Sequence, residues 1–144
     1  MLLVALGVWA FWMFLYPAHL HLHEQLQLFE FTRQYAIDTL SKPAGLAEYV
    51  SRFLVQFFYN GNIGPIVVAI VFALLFNATT LLFRRSDKES KTGWSSLVFK
   101  YSLSLIPVLL LTAFLAGLDA KMTLPVALVL TLYAVWLTEK IRSW

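Results

Sequence analysis

Residues 65–83 read PIVVAIVFALLFNATTLLF and run directly into Arg84-Arg85. Nineteen residues without a charge, at about 1.5 Å of rise each, come close to the roughly 30 Å of a bilayer's hydrocarbon core. A segment exposed to lipid must satisfy its own backbone hydrogen bonds, so the stretch reads as a transmembrane helix. The arginine pair closes it like a stop. Three further apolar stretches flank this one, at about 2–17, 97–117 and 123–138. Together they predict an all-α membrane protein with four transmembrane helices in a single domain. The composition agrees. Of 144 residues 60% are hydrophobic and only 13% charged, too little polar surface to cover a water-soluble globule.

Lys/Arg placement sets the orientation. Arg84, Arg85, Lys88, Lys91 and Lys100 cluster between the second and third spans, and Lys140 and Arg142 follow the fourth. The longer segment 18–64 holds only Arg33, Lys42 and Arg52. The 84–96 loop and both termini are therefore expected in the cytoplasm and segment 18–64 outside. The first apolar stretch lacks a basic leader and a small-x-small cleavage site, so it reads as an uncleaved span. Its abrupt start predicts that the chain is an excerpt of a longer protein.

No ionisable group lies at the middle of a span, which disfavours a self-contained channel or pump. Pro107 is expected to kink the third span, with Ser102 and Ser104 bonding freed carbonyls. Asn77, Thr79 and Thr80 are expected to hydrogen-bond between helices, and Lys100 to reach the inner surface. The basic charge follows the topology and forms no nucleic-acid-binding face. Cysteine is absent, which excludes disulfides and thiolate metal sites.

Chemistry is expected in segment 18–64. Two amphipathic juxtamembrane helices can be read there, about 22–40 and 46–58, joined by Ser41-Lys42-Pro43-Ala44-Gly45. In the second, Leu46, Tyr49, Val50, Phe53, Leu54, Phe57 and Phe58 form an apolar face. Glu48, Ser51, Arg52 and Gln56 lie opposite, with Val55 out of place among them. Glu48 and Arg52 stand four apart in the favourable order for an ion pair. Just past the first span comes His19-Leu20-His21-Leu22-His23-Glu24-Gln25. His19 and His23 share a helical face and are weak metal candidates, but no third ligand is assured, so no metal site is assigned. Glu24, immediately outside the membrane, is the candidate general base. Its plainer role is as a solvated carboxylate near a helix N-terminus.

The runs Tyr16-Pro17-Ala18-His19-Leu20, Glu24-Gln25-Leu26-Gln27-Leu28-Phe29, Gly45-Leu46-Ala47-Glu48-Tyr49 and Phe53-Leu54-Val55-Gln56-Phe57-Phe58 resemble the N-terminal part of an uncharacterised family of large bacterial polytopic membrane proteins. The resemblance implies an integral protein of a bacterial inner membrane and that many more spans follow. A more distant, architectural similarity is to the C-type membrane glycosyltransferases that use lipid-linked sugars. It implies Glu24 as catalytic base, with His19, His23, Gln25 and Arg33 around the donor phosphate or acceptor. The acid pair usual in that loop is replaced here by His23-Glu24-Gln25. Two readings follow. One is a glycosyltransferase-like protein of unknown cofactor with an outward-facing site. The other is a small non-catalytic accessory or scaffold protein whose outer helices dock a partner. The partners expected are the lipid bilayer, and either the rest of a longer chain or a partner membrane subunit.

Overall fold

The computed structural model describes residues 1–16, 20, 25, 28–86, 94–117 and 120–142, with the side chains of 84–86 and 94–96 outside that description. Among the described residues the chain is helix and connecting turn, without a strand. The order is α1 (Leu2–Ala10), a π-helical turn (Phe11–Leu15), α2 (Arg33–Leu40), α3 (Gly45–Val55), a 3-10 turn (Gln56–Tyr59), α4 (Ile63–Ser86), α5 (Trp94–Leu115) and α6 (Thr123–Arg142).

Three helices are long and apolar enough to cross a membrane: Ile63–Phe83 in α4, Leu97–Leu115 in α5 and Thr123–Arg142. The first apolar stretch, expected over 2–17, is helical over Leu2–Leu15 and is shorter than these three. Its last turn widens to π bonding, which brings residues five apart together; the Phe11 and Tyr16 rings stack at 5.2 Å. Tyr16 then leaves helical geometry, with φ −133°.

α4 is the axis of the bundle, and α1, α5 and α6 pack around it. Val68, Phe72 and Leu75 are fully buried along its length. Of its most apolar stretch 56% is buried, against 17% for each of α5 and α6. The outer two therefore meet the rest of the chain along one edge only. The α4 hydroxyls stay within their own helix, while the Asn77 amide reaches Met1 at the start of α1. Thr79 donates to the Leu75 and Phe76 carbonyls and Thr80 to that of Phe76, correcting the expectation that the pair bridges helices. A hydroxyl one turn from a carbonyl satisfies itself without a neighbour. Pro107 does lie inside α5, and its missing N–H leaves the Leu103 carbonyl without that donor. Ser104, however, donates to the Lys100 carbonyl at 2.9 Å. Lys100, expected at the inner surface, is buried.

The expected helix over 22–40 is also corrected. Described residues 28–32 are not helical, and α2 begins at Arg33. The Thr32 hydroxyl oxygen accepts from the Tyr35 N–H at 3.2 Å and caps the helix there. The turn from α2 to α3 is equally local. Ala44 takes the left-handed conformation at φ 60°, and Gly45 passes so close to α2 that a Cβ would lie 2.1 Å from the Thr39 carbonyl oxygen.

Candidate functional site

The segment between α1 and α4 is organised by α3, which presents three sides. Ala47, Ser51 and Val55, spaced four apart, are buried, and Phe58 in the following turn is fully buried. This is the side that meets α6: the Ser51 and Thr123 hydroxyls are 2.9 Å apart. Ser51 and Val55 were read from the sequence as belonging to the polar face. Packing chose the small side chains, because they let two helix axes approach closely. Val55, the apparent exception, is a core residue.

The second side carries a polar clasp. Arg52 donates one guanidinium nitrogen to Glu48 and the other to the Tyr35 hydroxyl at 3.2 Å, tying α2 to α3. Its guanidinium also lies 6.0 Å from the centre of the Tyr35 ring. Burial pulls the Arg52 pKa down, but the Tyr35 hydroxyl and the Glu48 carboxylate outweigh it and hold the group above its ordinary value. Gln56 donates to the Phe29 carbonyl at 3.1 Å and fixes the non-helical strip before α2. Phe29 is thereby buried among rings, edge-on to Phe31 at 4.9 Å, Tyr49 at 5.0 Å, Tyr35 at 5.3 Å and Phe53 at 5.7 Å. Offset and edge-on pairs of this kind add to the gain from burial alone.

The third side, the apolar face expected from the sequence, is the one left open. Leu46 is 58% exposed, Phe57 40% and Phe53 38%, and beside them Phe31 is 78% exposed. Phe53 joins Phe57 edge-on at 5.5 Å, so the rings of Phe29, Phe31, Phe53 and Phe57 form one ledge.

Of the residues singled out from the sequence, His19, His23 and Glu24 lie outside the described residues. Gln25 is helical and exposed, and Arg33 is exposed at the first position of α2. Among the described residues the Arg33 side chain joins no hydrogen bond or ion pair, and no group of three His, Asp or Glu side chains is placed to hold a metal. Two grooves flank α1. One, of about 490 Å³, lies against α4 between Trp9 and Ile66. The other, of about 520 Å³, lies against α5 between Gly7 and Val108. Both are apolar-walled. The Thr112 hydroxyl in the second already donates to the Val108 carbonyl.

Sequence reasoning found the Glu48–Arg52 pair and missed what it holds. Tyr35 had a readable signal, since Thr32 three residues earlier is a good N-cap and starts a helix that carries Tyr35 toward α3. The Ser51–Thr123 pair had none, because 72 residues separate its members.

No curated protein and no solved structure matches the chain. The model of a family of unknown function, DUF6057, matches residues 1–144, and the chain belongs to that family.

Proposed function

We propose that the protein is a four-span integral membrane protein of the bacterial inner membrane, with both termini cytoplasmic and segment 18–64 outside. It works as a non-catalytic accessory or scaffold subunit. Leu2–Leu15 is the fourth span, short enough to ask the bilayer to thin locally or neighbouring helices to shield its ends. α2 and α3 form a folded juxtamembrane cap over the outer end of the bundle.

The observation that carries the scaffold reading is the imbalance of burial among the spans. α4 is more than half enclosed, whereas α5 and α6 are 17% enclosed and offer long apolar faces. A partner membrane subunit seats on those faces. Small side chains such as Ala113 on α5 and Ala134 on α6, both exposed, allow such close packing. The clasp in the outer segment supports the same reading: Arg52, Glu48, Tyr35 and Gln56 are all engaged in holding the cap together.

Photo-crosslinking amino acids at Leu109 and Leu137, both exposed on the outer spans, test this in native membranes. A discrete protein adduct at either position is the expected result; adducts with lipid alone at both overturn the scaffold reading. Transfer of a sugar from a lipid-linked donor that Glu24→Gln abolishes, with membrane insertion intact, would replace it by the transferase reading.

A further inference from the structure

We infer that the ledge of Phe31, Phe53 and Phe57, widened by Leu28 and Leu46, is an interfacial anchor whose occupant is lipid of the outer leaflet. The inference rests on the membrane reading and topology proposed above.

Two attachments fix the height of the ledge. Ser51, in the middle of α3, is bonded to Thr123, the first residue of α6. Phe58, just past α3, packs so tightly on the start of α4 that a Cβ on Gly64 would lie 3.1 Å from the Phe58 Cα. α3 therefore lies across the outer ends of two spans, where the hydrocarbon gives way to headgroups. The apolar surface continues at the same level onto the spans: Ile63, Ile66 and Leu124, in the first turns of α4 and α6, are 41%, 46% and 42% exposed. A partner protein on the ledge would have to displace lipid from this whole belt, whereas lipid covers ledge and belt alike.

The shape and charge of α3 fit the same occupant. One side is occupied by the bundle and the second by the clasp, so only the third can face outward. That third side carries no charge. On α3 the nearest cation, Arg52, has Glu48 beside it, and the exposed Glu30 and Arg33 that flank Phe31 bring charges of both signs to headgroup level. A helix with an apolar face of this kind sinks that face about 5–10 Å into the boundary region. The ring contacts keep the face rigid, so it enters lipid as a block.

The chain has no cysteine, so single substitutions can be labelled cleanly. Leu46→Cys and Phe57→Cys report on the ledge, Asp38→Cys on the exposed side of α2, and Ile70→Cys on the exposed mid-height of α4. Each variant, carrying a nitrobenzoxadiazole label, is placed in phosphatidylethanolamine–phosphatidylglycerol nanodiscs containing lipids spin-labelled near the carbonyl end or the methyl end of the acyl chain. The expected result is quenching of both ledge labels by the carbonyl-end spin label, at least about twofold above the Asp38 position, as shallow insertion requires. Ile70 should be quenched best by the methyl-end label. Ledge labels quenched no more than Asp38, while Ile70 is quenched, overturn the inference and assign the face to water or a protein partner. An unquenched Ile70 overturns the membrane reading itself. Two ledge positions guard against one substitution disturbing the cap.

Discussion

The α2–α3 cap and the bundle of long helices use the same polar residue types in largely opposite ways. In the cap, polar side chains connect elements: Arg52 reaches Tyr35, Gln56 reaches the Phe29 carbonyl and Ser51 meets Thr123. Among the described residues of the long helices most hydroxyls fold back, whereas Asn77 donates to the Met1 sulfur. Thr79, Thr80, Ser104, Thr112, Thr131 and Thr138 each donate to a carbonyl three or four residues earlier in their own helix. A hydroxyl in an apolar layer must find an acceptor, and the nearest is the preceding turn. Specificity in the bundle is left to apolar packing around α4. At the cap, where water competes for every hydrogen bond, bonds between distant residues matter through the geometry they impose.

Substitutions that break the cap should therefore cost more than equivalent ones in the spans. The largest effect is expected from Gly45→Val, which drives side-chain atoms into the α2 backbone. It should destabilise the cap by about 3 kcal/mol, the upper range for overpacking. Rapid proteolysis between α2 and α3 with the spans still protected would show it; a wild-type cleavage pattern would contradict the close approach.

Arg52→Ala is next, at about 1–2 kcal/mol, since it removes two hydrogen bonds from a partly exposed cation. Combined with Tyr35→Phe, it should cost less than the two single losses added, because both act on one contact. Strict additivity in thermal unfolding of detergent-solubilised protein would mean that the clasp does not join α2 to α3. Ser51→Ala should cost about 1 kcal/mol by leaving the Thr123 hydroxyl without its partner. The signature is earlier loosening of α3 from α6, read as faster amide exchange in α3 than in α4.

Thr131→Val sharpens the contrast from the other side. The Ala127 and Leu128 carbonyls that its hydroxyl meets belong to the helix ladder already, so the change should stay below about 0.5 kcal/mol. A larger loss, measured in the same unfolding assay, would show that the hydroxyl serves an interface after all. The smallest effect is in pH. The folded-state pKa of Arg52 is raised, so its contribution is fully present below the unfolded value and is lost only as pH rises through the folded one, far into alkali. From neutrality to about pH 10 the Arg52 contribution to cap stability should be constant, since arginine stays charged throughout. A fall in cap melting over that range that disappears in Arg52→Ala would reverse this sign.

Long, continuous apolar runs made three membrane-length helices legible, because nothing but length and hydropathy is needed to recognise them. The Glu48–Arg52 pair was legible for a similar reason: four residues on one helix fix its geometry. The helix over 22–40 was overread. Periodicity over 22–40 reads as helical, but Thr32 caps a helix at that point and Phe29 is buried among rings instead. The apolar face of α3 was legible from its periodicity, but the face that packs was not, because Ser51 and Val55 fall on the polar side and only the fit to α6 selects them. Beside a membrane the largest apolar residues can face outward, and the small ones are what another helix can approach.

The sequence by itself determined that this chain is helical, where its membrane-length helices lie and which short-range pair forms between α1 and α4. Each depends on the chemistry of neighbouring residues alone. Only the tertiary structure decided that α4 is the axis, that Ser51 meets Thr123, and that the rings of α3 form an open ledge. Those outcomes depend on which surfaces fit together, and complementarity between residues dozens of positions apart leaves no local pattern to read.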